Sequence, residues 1–149
     1  MRHLNKSVIT IIACLWTSLA FGQAIPADSS SQRFGVVAAA TGTTAGATAT
    51  LPAVQGKITY ICGFSVTPGS ATAAITINVT VTGPTSPFTY SVGAPVTAVG
   101  TTGALLSQTF TPCVPASAPN TTIAVAAGAL GAGGVNQDVN VSGYQFSPN

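Results

Sequence analysis

Between Lys57 and Thr82 the chain alternates apolar and polar residues almost without error. Ile58, Tyr60, Cys62, Phe64 and Val66 fall on one side and Thr59, Gly63, Ser65 and Thr67 on the other, with Ile61 as the single exception. After Pro68-Gly69-Ser70 the alternation resumes, with Ile75, Ile77, Val79 and Val81 set against Thr76, Asn78, Thr80 and Thr82. A period of two is what a strand with one buried and one wet face requires, because successive side chains point to opposite faces of a sheet. Two such runs around a turn-rich triplet predict a β-hairpin.

The flanking sequence repeats the signal more weakly. Phe34 to Ala40 predicts a first strand, Thr41-Gly42-Thr43-Thr44 a turn, and Ala45 to Val54 a second strand with Ala47, Ala49 and Leu51 in phase. Gly83-Pro84-Thr85-Ser86-Pro87 predicts a sharp turn, since Pro fixes φ and Gly tolerates φ > 0. Phe88, Tyr90 and Val92 follow as a short strand, and Ala104 to Thr111 as another. That strand is closed by Pro112-Cys113-Val114-Pro115, where two prolines forbid a central ladder. Asn120 to Ala127 is strand-like, Gly128 to Gly134 is a glycine-rich loop, and Val135 to Phe146 ends the chain, with Gly143 read as a bulge that re-aims Tyr144 and Phe146. About eight strands at spacings of roughly 10 to 15 residues, with Gly/Pro turns and no fixed repeat, predict an all-β fold. The expected architecture is a single antiparallel β-sandwich, jelly-roll-like.

The N-terminus changes the domain picture. Arg2, His3 and Lys6 precede an apolar run from Val8 to Phe21 and a small-residue end, the three parts of a secretory signal peptide. Ala20-Phe21-Gly22 fits cleavage before Gln23, and Gly22-Gln23-Ala24 fits cleavage before Ile25. The expected division is a signal peptide at 1–22, a flexible arm at 23–33 and the sandwich at 34–149. The apolar run is shorter than the ~20 residues that span a bilayer, so no stable membrane span is expected in the mature chain. Ile11-Ile12-Ala13-Cys14 resembles a lipobox, but apolar residues continue past Cys14 through Leu15, Trp16 and Leu19, the wrong flank for a lipid-anchored start.

Composition narrows the function. Of 149 residues only 4% are charged, against about a quarter in ordinary soluble proteins. Without the signal, Arg33 and Lys57 face Asp28 and Asp138. Two cations cannot supply the row of phosphate contacts that nucleic-acid binding needs, and a near-neutral surface gives copies little mutual repulsion. The one histidine, His3, lies in the signal, and there is no Glu. A Ser or Cys nucleophile therefore lacks a base, and Asp28 and Asp138 lack a tuning partner. No catalytic residue, cofactor or metal site is expected. Asn136, Asp138 and Asn140 share a strand face, yet one carboxylate makes a weak Ca²⁺ site, and zinc has no ligand set. The glycine-rich loop lacks the Lys-Ser/Thr of a phosphate loop. Asn78-Val79-Thr80, Asn120-Thr121-Thr122 and Asn140-Val141-Ser142 match the N-glycosylation pattern, which Thr-rich strands also produce by chance.

Past the signal, Cys62 and Cys113 remain, in a chain bound for an oxidising compartment. A disulfide between them would close a loop of about 50 residues and, in the loop-entropy model, contribute roughly 4 kcal/mol. The alternative is two buried thiols acting as small apolar residues. Sugar binding usually needs exposed rings. Trp16 leaves with the signal, while Tyr60, Phe64, Phe88, Tyr90 and Phe110 alternate in phase with core residues. Tyr144 and Phe146 are the aromatics most open to ligand contact.

Gly56-Lys57-Ile58-Thr59-Tyr60-Ile61-Cys62-Gly63-Phe64, Phe110-Thr111-Pro112-Cys113-Val114-Pro115-Ala116 and Gly143-Tyr144-Gln145 resemble a loose group of small phage, prophage and bacterial surface proteins of unassigned function. The resemblance implies a jelly-roll module used in virions or on surfaces, often as trimers. The secretory signal departs from it, because virion proteins assembled in the cytoplasm need no export. The expectation is a non-catalytic, secreted structural or attachment subunit at a cell or virion surface, extracellular or periplasmic. It would assemble as a homo-oligomer, a trimer before other forms, and meet surface glycans or other envelope proteins. The alternative is a monomeric extracellular module that binds glycan or another ligand.

Overall fold

The computed structural model describes residues 33–73, 75–94, 96, 103–131, 133–134 and 137–147. The expected signal peptide, the arm except Arg33, Cys14, Asp28 and Asn136 lie outside them. Eight strands run in order: β1 (Phe34–Gly42), β2 (Ala47–Leu51), β3 (Ile58–Thr67), β4 (Ile75–Thr82), β5 (Phe88–Ala94), β6 (Leu106–Pro115), β7 (Ile123–Ala127) and β8 (Gln137–Phe146). No helix occurs among the described residues.

The strands form two four-stranded antiparallel sheets, ordered β1-β8-β3-β6 and β2-β7-β4-β5. β1 pairs with β8, β2 with β7, β3 with β6 and β4 with β5, as in one long hairpin folded over itself, while β3–β8 and β4–β7 seal the wrap. That is the jelly roll, two sheets packed face to face around one core.

The hairpin expected at Lys57–Thr82 does not form. β3 and β4 lie in opposite sheets, and buried Pro68, Gly69 and Ser70 carry the chain across the end of the sandwich. Alternation reports only that one side of each strand meets the core. Two strands of one sheet and two strands of facing sheets satisfy that condition equally.

The phase of β3 also differs from its sequence pattern. Ile61, the apparent exception, is fully buried, as is Thr59, whereas Ile58, Tyr60 and Cys62 are half-exposed. Beyond Gly63 the phase reverses and Phe64 and Val66 point inward. A β-bulge causes the reversal: Ile61 lies opposite Gly143 and Gly63 opposite Ser142, so Cys62 is an extra residue in the ladder. The bulge expected at Gly143 is thus carried by the partner strand. Gly143 is glycine because a Cβ there would fall on the carbonyl oxygen of Tyr60.

Leu51, Ile61, Val66, Val79, Val81, Ile123, Val125 and Val139 form the centre of the core, all at 0% exposure. Phe64 touches Tyr90 and Phe110, and Phe88 meets both Tyr90 and Phe110 edge-on, closing the side where β5 and β6 are the sheet edges. Buried Thr59 and Gln145 both donate to the carbonyl of Pro52, at 3.1 and 2.8 Å. Element ends shift slightly from expectation. β1 runs on to Gly42, so the turn is Thr43–Gly46 with Gly46 N–H donating to Thr43 O. β6 continues through Pro112 and Pro115, which its edge position tolerates.

Candidate functional site

The outer face of the β1-β8-β3-β6 sheet is built in rows by strand register. Gly35, Tyr144, Tyr60 and Pro115 make one row; Val37, Ser142, Gly63 and Thr109 the next; Ala39, Asn140, Ser65 and Ser107 the third; Thr41, Asp138 and Thr67 close it. The bulge at Cys62 is what places Tyr60 and Ser65 on the same face although one is even-numbered and the other odd.

At one end of this face, Tyr60 and Tyr144 stack with centroids 4.7 Å apart and planes 10° from parallel. The Arg33 guanidinium lies 5.0 Å from the Tyr144 centroid. Nearby, at the end of the sandwich, Lys57 Nζ sits 3.8 Å over the Phe34 ring. Both cations among the described residues are therefore committed to aromatic faces. At the opposite end Thr41 donates to Asp138 Oδ1 at 2.9 Å.

Cys62 and Cys113 form a disulfide, with Cα atoms 4.3 Å apart and 51 residues of separation. It bridges the one break in the β3–β6 ladder, where Ile61 pairs with Val114 but Gly63 pairs with Thr109, leaving Phe110–Cys113 to loop past Cys62. A covalent tie holds the register where hydrogen bonds cannot. The bridge is compatible with an extracellular location.

Between the tyrosine stack and Asp138 the face dips into an open recess of about 650 Å³. Its lining includes Val37, Ala39, Gly63, Ser65, Ser107, Thr109, Asn140 and Ser142 and, among the described residues, contains no ionisable side chain. Short side chains and the side-chain-free Gly63 leave the space. Gly63 cannot be larger, because a Cβ would approach Gln108 O to 2.7 Å. Ser142 Oγ donates weakly to Gly63 O at 3.4 Å. Among the described residues, the side chains of Ser65, Ser107, Thr109 and Asn140 have no protein hydrogen-bond partner.

The opposite outer face, on the β2-β7-β4-β5 sheet, has a different character. Thr48, Ala126, Thr80 and Thr89 form one row, Thr50, Ala124 and Thr82 another, with Asn78 beside Ser91 and Thr76 beside Gly93. No charged or aromatic residue interrupts these rows.

Compared with known proteins, the chain matches no family model and no curated protein. Of the residues singled out in the sequence, Cys62 and Cys113 come together as a bridge. Tyr144 is half-buried, stacked on Tyr60 and with the Arg33 guanidinium over its ring, and Phe146 is half-buried opposite Ile58. Tyr60 leaves the expected core for the outer face, whereas Phe64, Phe88, Tyr90 and Phe110 pack inside. Asp138 and Asn140 are two residues apart on β8, and no group of three His, Cys, Asp or Glu gathers among the described residues. The recess was not visible in the sequence, because its residues come from four strands whose neighbours only the topology decides.

Proposed function

We propose that the chain is a non-catalytic structural or attachment subunit of a cell or virion surface, exported through its N-terminal segment and assembled as a homo-oligomer. The observation that supports this reading is the charge-free outer face of the β2-β7-β4-β5 sheet. Its Thr, Ala, Ser, Asn and Gly side chains are short. A second copy covering it strips water from no ion, buries Thr and Ala methyl groups, and leaves hydroxyls that can pair across the contact. Ordinary surfaces resist such contacts with Lys and Glu.

Area favours a ring over a face-to-face pair. Four strands about 4.8 Å apart and six or seven residues long at about 3.4 Å give on the order of 400 Å², half the ~800 Å² that each partner contributes to a standard interface. A copy in a closed trimer uses two surfaces. The second is the free backbone edge of the nine-residue strand β1, which carries no charge. The absence of His and Glu from the mature sequence and the disulfide fit a structural, exported role. Native mass spectrometry across a dilution series tests the reading. A trimer or larger closed ring is the expected species, and a monomer at every concentration refutes it.

A further inference from the structure

We infer that the recess on the outer face of the β1-β8-β3-β6 sheet is a binding site for a neutral saccharide. This deepens the attachment half of the function proposed above and does not depend on assembly. Three properties of the recess select the ligand class. Its volume of about 650 Å³ falls within the ~300–1,000 Å³ of small-ligand sites. Among the described residues its lining holds no ionisable group, and both cations are held over rings, Arg33 over Tyr144 and Lys57 over Phe34. A phosphate, sulfate or carboxylate would enter without a counter-charge, so anionic ligands are disfavoured.

The third property is the polar inventory. Hydroxyls of Ser65, Ser107 and Thr109 and the carboxamide of Asn140 each carry both donor and acceptor capacity. Among the described residues, none of it is used by the protein. The third row sets three of these side chains side by side: Asn140 beside Ser65 and Ser65 beside Ser107. A polyol, whose every hydroxyl also both donates and accepts, is the complement of such a row. Val37 and Ala39, on the β1 side, supply an apolar wall for the C–H face of a sugar ring. The contact is made by hydrogen bonds rather than by ring stacking, since Phe64, the aromatic residue that lines the recess among the described residues, is buried in the core, and Tyr144 is stacked on Tyr60 with Arg33 over its ring.

The test is an amide-shift NMR titration of the purified protein with lactose, cellobiose, maltose and N,N′-diacetylchitobiose, and with glucose 6-phosphate as the anionic counterpart. At least one neutral disaccharide should shift the amides of Ser65, Ser107, Asn140 and Ser142 saturably, with a millimolar-range constant, and glucose 6-phosphate should not. Asn140→Leu and Ser107→Val should each weaken that binding about tenfold, the loss of one good hydrogen bond. Thr85→Ala, in the exposed turn between β4 and β5, should leave it unchanged. No saturable shift in the recess at about 50 mM of any of the four sugars overturns the inference. So does binding that both recess variants leave intact, or preferential binding of glucose 6-phosphate. The mass of the same samples separates the two readings. A ring that binds no sugar removes this inference alone, and a monomer that binds removes the assembly alone.

Discussion

Truncating Ile61 and Tyr60 in turn distinguishes the register of β3 from its apparent alternation. By alternation, Tyr60 belongs to the core and Ile61 to the surface, so Tyr60→Ala would be the damaging change. The bulge at Cys62 reverses this. Ile61 is fully buried in the centre of the sandwich, and Ile61→Ala should cost about 3–4 kcal/mol, combining lost transfer energy with the cavity left behind. Tyr60 is half-buried and keeps one stacking partner, Tyr144, at 4.7 Å. Losing that stack and part of its buried area should cost about 1–2 kcal/mol. Urea unfolding with the disulfide intact measures both. At a slope of roughly 1.5–2 kcal/mol/M, Ile61→Ala should lower the midpoint by about 2 M and Tyr60→Ala by about 0.5–1.3 M. If Ile61→Ala leaves too little folded protein, Ile61→Val, at about 1 kcal/mol, keeps the comparison available against Tyr60→Phe, which should be near neutral. A Tyr60→Ala variant that loses more stability than Ile61→Ala would refute the bulge and the phase reversal.

Three further outcomes follow from the same packing. Replacing Cys62 and Cys113 together by Ser should cost about 2–4 kcal/mol by chemical denaturation, the range for opening a loop of this length, with a native-like circular dichroism spectrum retained in dilute buffer. Gly143→Ala should destabilise by about 2 kcal/mol or more in the same assay, because the added methyl meets the Tyr60 carbonyl and the strands must part; a neutral result would deny the close approach. Gln137 is fully buried with neither amide atom hydrogen-bonded among the described residues, so Gln137→Met should raise stability by about 1 kcal/mol, whereas Gln145→Met, which removes the donor to Pro52 O, should lower it by about 1 kcal/mol.

What could be read from the sequence, and what could not, divides along a physical line. Strand positions were legible because Ile75, Ile77, Val79 and Val81 repeat at the spacing a half-buried strand needs, and Gly83-Pro84 stops the run. The sandwich followed from eight such segments. Which strands pair was not legible, since Pro68-Gly69-Ser70 suits a tight turn as well as the crossing it makes. The phase reversal in β3 was hidden because Tyr60 is largely apolar yet faces outward, where Tyr144 and Pro115 adjoin it. Ile61 was the one signal of it. The disulfide was legible because Cys62 and Cys113 are the two cysteines left once the expected signal peptide is set aside. The recess was not, because Ser65, Ser107 and Asn140 meet only once β3 lies between β6 and β8.

Whether the charge-free Thr/Ala face proposed above holds copies together is decided by the native mass of the protein beside that of Thr80→Lys. Thr80 lies on β4 within that face, between Ala126 and Thr89. A lysine there would put an ion into every contact at several kcal/mol each without touching the core. The expected species are a closed trimer or larger ring for the unmodified chain and a folded monomer for the variant. An unmodified chain that is monomeric, or a Thr80→Lys protein that assembles as well as its parent, would contradict that role for the face.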